Sequence, residues 1–74
     1  MVCIKLNLTL IELANKKEFD LNIQVPKTLN EVLHEIGLSQ SDLGMVLKNG
    51  RWAPFDCVIE ENDIVQLFPH LEGG

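Results

Sequence analysis

The chain lacks the usual means by which a small protein performs chemistry alone. Its two cysteines, Cys3 and Cys57, form no CxxC pair and are too few for the multi-bridge framework of small secreted domains. Both read as structural or incidental thiols in a reduced, cytosolic setting, because nothing beside them in the sequence would lower a thiol pKa. There is no GxxxxGK[ST] phosphate loop, no GxGxxG fingerprint and no histidine or cysteine cluster at metal-ligand spacing. His34 and His70 stand apart as solvated imidazoles, and Glu60, Glu61 and Asp63 read as a solvated turn rather than an acid/base pair, so neither a metal site nor catalytic carboxylates are expected. Apolar runs are a handful of residues long, against the roughly 20 that span a bilayer, and Lys5 and Asn7 interrupt the segment a signal peptide would need. Basic residues are few: 6 against 11 acidic ones, for a net charge of -5. That balance argues against nucleic acid or an anionic membrane as ligand and suits a partner with a basic surface.

What is present is one small domain. A chain of 74 residues buries only about 60% of the surface its unfolded form exposes, too little for a deep catalytic pocket. A module that works with partners, and is not itself an enzyme, is expected. Val2, Ile4, Leu6, Leu8 and Leu10 alternate with Cys3, Lys5, Asn7 and Thr9, the period of a half-buried strand. After the polar turn Ala14-Asn15-Lys16-Lys17 the alternation resumes through Phe19, Leu21, Ile23 and Val25, predicting a hairpin that Pro26 ends. Thr28 and Glu31 have capping-box spacing, Leu29, Val32, Leu33 and Ile36 make one helical stripe, and Gly37 is its natural stop. Residues 38–44 read as an irregular connector in which Ser39 or Ser41 caps a short turn. Asn49-Gly50 marks a second hairpin whose outer arm Pro54 limits. Cys57 to Ile59 form a short apolar segment, and Ile64 to Phe68 a last strand ended by Pro69. A single helix covering the apolar face of a small mixed sheet is an α+β, β-grasp, ubiquitin-like layout. Residues 1–74 are read as one such domain with a flexible Gly-Gly tail from about residue 70.

The tail is the unusual feature. Two glycines without Cβ atoms let a terminal carboxylate enter a channel too narrow for other residues. From Pro69 to Gly74 the chain reaches about 20 Å when extended, enough to enter a neighbouring protein's active site. If Val65 and Leu67 pack under the helix, strand parity turns Ile64, Gln66 and Phe68 to the opposite face, where an apolar pair needs a partner's cover. Trp52, just past the Asn-Gly turn, is a further aromatic for that face or for packing against Phe68.

The segment from Glu61 to Gly74 resembles the carboxyl end of the MoaD/ThiS sulfur-carrier family, with an acidic turn opening the last strand and Gly-Gly closing the chain. The ending Phe-Pro-x-x-x-Gly-Gly points to the molybdopterin branch, in which a second proline usually stands where His70 does here. Glu72 replaces the basic residue that precedes Gly-Gly in ubiquitin, which disfavours a ubiquitin-type conjugation route. The resemblance implies that Gly74 is adenylated by a ubiquitin-activating-type adenylyltransferase using ATP and magnesium, then converted to a thiocarboxylate. It implies no cofactor and no catalytic side chain on this chain, with Gly73, Glu72 and Leu71 entering the partner's active site and Phe68, Ile64 and Pro69 at its interface. The acceptor it points to is the large subunit of molybdopterin synthase, of which this chain would be the small subunit in molybdenum or tungsten cofactor synthesis. Alternatives are a thiamine-thiazole or other pathway carrier, a ubiquitin-like modifier joined to lysines through Gly74, and an interaction module whose Gly-Gly is idle.

Overall fold

A computed structural model describes residues 1–70. The first strand, β1 (Val2–Leu6), pairs antiparallel with β2 (Glu18–Leu21) through the short helix α1 (Thr9–Ala14). After β3 (Lys27–Thr28) comes the main helix α2 (Leu29–Ile36), then a single 3-10 turn at Gln40–Asp42. The chain continues as β4 (Met45–Lys48), β5 (Arg51–Trp52), β6 (Val58–Ile59) and β7 (Ile64–Phe68). Five strands form one mixed sheet in the order β2-β1-β7-β4-β5, with β1 and β7 parallel at its centre, and β3 and β6 make a separate two-stranded ribbon.

The α+β, β-grasp reading holds, and local signals explain most of it. Thr28 Oγ1 accepts from the Glu31 N–H at 3.2 Å, and Glu31 Oε1 accepts from the Thr28 N–H at 3.2 Å, closing the capping box. Gly37 ends α2 at φ 83°, in the left-handed region where a glycine costs least. Asn49 and Gly50 both take positive φ, 54° and 80°, which gives the primed two-residue turn whose twist suits a hairpin. The Asn49 side chain is also a staple: its oxygen accepts from the Ile64 N–H at 2.8 Å and its amide donates to Asp63 at 2.9 Å. The hairpin tip thereby holds the start of β7.

Two strand boundaries differ from the sequence expectation. β1 stops at Leu6 rather than Leu10, because Asn7 donates from both its backbone and its side chain to the Leu67 carbonyl, each at 3.1 Å, and closes the ladder. Leu8 then turns at φ 54°, and Leu10, Ile11 and Ala14 reach the core from α1. Leu10 is buried, as a continued strand would also have made it, while Leu8 is exposed. β2 ends at Leu21 because its partner begins at Val2 and offers nothing further to pair with. Ile23 still packs inward from an irregular segment and Val25 lies exposed. In the connector it is Ser39 that precedes the 3-10 turn, its N–H bonded to the Asp42 carboxylate at 3.0 Å.

The core lies between α2 and one face of the sheet. Leu29, Val32 and Leu33 of α2 meet Val2, Ile4, Leu6, Val46, Val65 and Leu67, all buried. Among the described residues no helix is long and apolar enough to cross a membrane.

Candidate functional site

The parity expected of the last strand is the parity observed. Val65 and Leu67 have no exposure, while Ile64 is 46% exposed and Gln66 and Phe68 are half-buried on the other face. Register extends that face across the sheet: Phe68 stands beside Met45, Gln66 beside Leu47, and Leu47 beside Trp52, which is 76% exposed. On the other flank Ile64 neighbours Cys3, and Gln66 neighbours Lys5, which pair with Asp20 and Glu18. The open face is thus apolar over β5, β4 and β7 and charged over β1 and β2. An uncovered Trp with Phe, Met and Leu neighbours, and Ile64 further along the same face, beside a charged rim has the anatomy of a docking surface.

Where this face meets the end of β7, Gly44, Met45, Trp52, Phe68, Pro69 and His70 line an apolar groove of about 300 Å³. Phe68 and Trp52 therefore share one hollow, as the packing alternative for Trp52 requires, while Phe68 still belongs to the open face. Ile64, Phe68 and Pro69, the expected partner residues, lie along one strand and its exit, with Gln66 between Ile64 and Phe68 on the same face. Leu71, Glu72, Gly73 and Gly74 lie outside the described residues. The sequence reading missed Met45 and Leu47, although their alternation with buried Val46 carried the signal once Phe68 was placed on the open face. It also missed Gly44, whose N–H donates to the Phe68 carbonyl at 2.8 Å. No local pattern marks that contact.

Both cysteines are free. The Cys3 thiol donates to Glu18 at 2.9 Å, and this bond, with partial desolvation and the Glu18 and Asp20 charges, pushes its pKa up to about 11. Cys57 is also raised, chiefly by burial and against the pull of Lys48. Neither is a thiolate at neutral pH, which accords with the reading of both as unreactive. Cys3, Glu18 and Asp20 bring three donor atoms within 4.8 Å of one another on the exposed sheet. Within this group the thiol proton is shared to Glu18.

A mixed five-stranded sheet packed on the main helix α2, with an open face leading to the exit of β7, defines a ubiquitin-like β-grasp protein. The chain belongs to the ThiS family, whose model matches residues 4–74. It is accordingly a ThiS-type ubiquitin-like carrier protein. Among solved structures it is similar to SAMP1 of Haloferax volcanii, at 23% identity and a TM-score of 0.75, covering 99% of this chain and 98% of that one. It is also similar to a protein of Pyrococcus furiosus described as a putative molybdopterin converting factor, subunit 1, at 19% identity and a TM-score of 0.74, covering 95% and 97%. A further crystal structure, of small archaeal modifier protein 1 from H. volcanii, has 20% identity and a TM-score of 0.74 over 95% and 97%. At these identities the likeness is one of fold. Comparison with curated proteins gives no match.

Proposed function

We propose that this protein is a sulfur carrier whose Gly74 carboxylate is adenylated and converted to a thiocarboxylate, and that it serves as the small subunit of a molybdopterin synthase. The observation that carries this reading is the ThiS-family match running through Gly74, on a domain whose last strand ends at Phe68, six residues before Gly74 in the Gly-Gly ending of the sequence. A carboxylate is a poor acyl donor. Attack by its oxygen on the α-phosphorus of ATP, with magnesium-bound pyrophosphate leaving, makes a mixed anhydride from which AMP departs readily. A persulfide sulfur of the donor then takes the acyl group, and reductive cleavage of the sulfur–sulfur bond by a thiol leaves the thiocarboxylate. All groups that move protons or bind ATP belong to the activating partner, and the carrier supplies reach, shape and the acyl carbon. The tail then enters the acceptor, for which the Phe68-Pro69 strand end supports the synthase large subunit.

Intact mass spectrometry after incubation with ATP, a persulfide donor and the cognate activating enzyme tests the reading. The expected product is heavier by one oxygen-to-sulfur exchange localised to Gly74; an unchanged terminus beside active enzyme rejects it. A second reading, a protein modifier joined through Gly74 to lysines, is favoured by the likeness to small archaeal modifier protein 1. Gly-Gly remnants on lysines of other proteins after digestion would select it, since both routes share the adenylate.

Docking through the open face makes its own prediction. Phe68 is not among the residues packed against the core, so Phe68→Ala leaves the fold intact. It is expected to weaken binding to the acceptor subunit roughly 30-fold, the effect of truncating a central aromatic worth about 2 kcal/mol. Calorimetric titration reads it, and unchanged affinity would move the interface elsewhere.

A further inference from the structure

We propose that Gly44 and His70 form a clamp at the root of the tail, so that the chain passes into residue 71 on a bearing set by the folded domain. The ladder between β4 and β7 ends with Met45 opposite Phe68. One more bond follows it, from the Gly44 N–H to the Phe68 carbonyl at 2.8 Å. Pro69 then has no N–H to continue the ladder, and its ring holds its own φ near about -65°.

Even so, the backbone stays seated. A β-carbon on Gly44 would lie 2.5 Å from the Pro69 carbonyl oxygen, 2.8 Å from His70 Cα and 2.9 Å from the His70 nitrogen. Gly44 does not take positive φ, unlike Gly37 and Gly50. Glycine is needed here for space and not for its dihedral range.

The hydrogen bonds of the neighbouring 3-10 turn complete the device. Asp42 N–H bonds the Ser39 carbonyl and Leu43 N–H bonds the Gln40 carbonyl, so the next donor in the series for Ser41 would be Gly44. Because Gly44 spends its N–H on Phe68, the Ser41 carbonyl is left for another donor, and His70 Nε2 supplies it at 3.2 Å. The imidazole is thus in the tautomer that carries a proton on Nε2. Ring rigidity at Pro69, close backbone contact at Gly44 and the tether from His70 act on successive atoms of the exit. His70 and Gly44 are positioning residues: they touch no reacting atom and act by lowering the ordering cost of presenting the tail.

This inference rests on the reading of Gly74 as the acyl donor, so its test has one arm that depends on the activating enzyme and one that does not. In ATP–pyrophosphate exchange, His70→Ala is expected to raise the enzyme's KM for this protein roughly three- to tenfold, the worth of one lost hydrogen bond, with kcat nearly unchanged. His70→Gln, whose amide can reach the same carbonyl, is expected to restore most of it, and Gly44→Ala to raise KM with the imidazole still present. In NMR of the free protein, the His70 backbone amide is expected to show heteronuclear NOE values like those of β7, falling in His70→Ala and recovering in His70→Gln.

An unchanged KM in His70→Ala overturns the clamp while leaving the carrier reading intact. If the wild-type protein supports no exchange at all, the carrier reading falls, and the NOE comparison decides the clamp alone: a His70 amide as mobile in the wild type as in His70→Ala overturns it. Should Gly44→Ala fail to fold, the two variants at the exposed His70 still decide between these outcomes.

Discussion

A variant ending at Gly73 is expected to form neither acyl-adenylate nor thiocarboxylate at a measurable rate, a loss of roughly a thousandfold or more in single-turnover assays with the activating enzyme. Removing one residue withdraws the terminal carboxylate by about 3.5 Å. Misplacement of a reacting group by about 1 Å already costs on the order of a hundredfold, so a full residue leaves the α-phosphorus out of reach. The same variant is expected to unfold at the same temperature as the parent, since among the described residues the core cluster ends at Leu67. Docking on the open face is expected to survive as well, because Phe68, Trp52 and Ile64 are untouched. A variant that still accumulates adenylate at the parent rate would mean that the acyl donor is not fixed to Gly74 and that the full length of the tail is not required. The combination of intact fold, intact binding and absent chemistry separates a tail effect from a folding defect.

Leu67→Ala is expected to lower the melting temperature by roughly 10–40 °C, leaving the chain unfolded at 37 °C at the upper end. Leu67 is fully buried between β1 and β4, in register with Leu6 on one side and Val46 on the other. Truncating such a side chain costs about 2–5 kcal/mol. A domain of this size holds about 4–11 kcal/mol in total, and each kcal/mol moves its midpoint by about 4–8 °C. The control is Ile64→Ala on the same strand, where the side chain is 46% exposed on the opposite face. That change is expected to cost less than about 1 kcal/mol. Thermal denaturation followed by circular dichroism measures both, and equal losses would refute the assignment of the two faces.

The contrast between Leu67 and Ile64 also bears on how far the fold is readable from the chain alone. A period of two allows only two placements of a strand, and a helix stripe at Leu29, Val32 and Leu33 needs an apolar sheet face to cover. Choosing Val65 and Leu67 for that face turns Ile64 and Phe68 outward at once. The capping box at Thr28 and Glu31 and the turn at Asn49-Gly50 are equally legible, because each is closed by atoms a few residues apart. The boundaries of β1 and β2 are not. Alternation continues through Leu8 and Leu10, but the strand stops where Asn7 meets the Leu67 carbonyl, a partner 60 residues away.

The candidate site divides along the same line. Local patterns in the chain were enough to predict the strands, helix and turns of a β-grasp domain, an open face carrying Phe68 and Ile64, and the Gly-Gly ending, since each depends on neighbours a few residues apart. Contacts across the chain settled the rest: the parallel pairing of β1 with β7, the ribbon of β3 with β6, the meeting of Trp52 with Phe68 in one groove, and the seat of Pro69 and His70 on Gly44. These join residues from about 16 to more than 60 positions apart, and no local propensity encodes a distance between segments. They form because burying the α2 stripe leaves one arrangement of the strands beneath it, and that arrangement brings the exit of β7 against the turn that precedes β4.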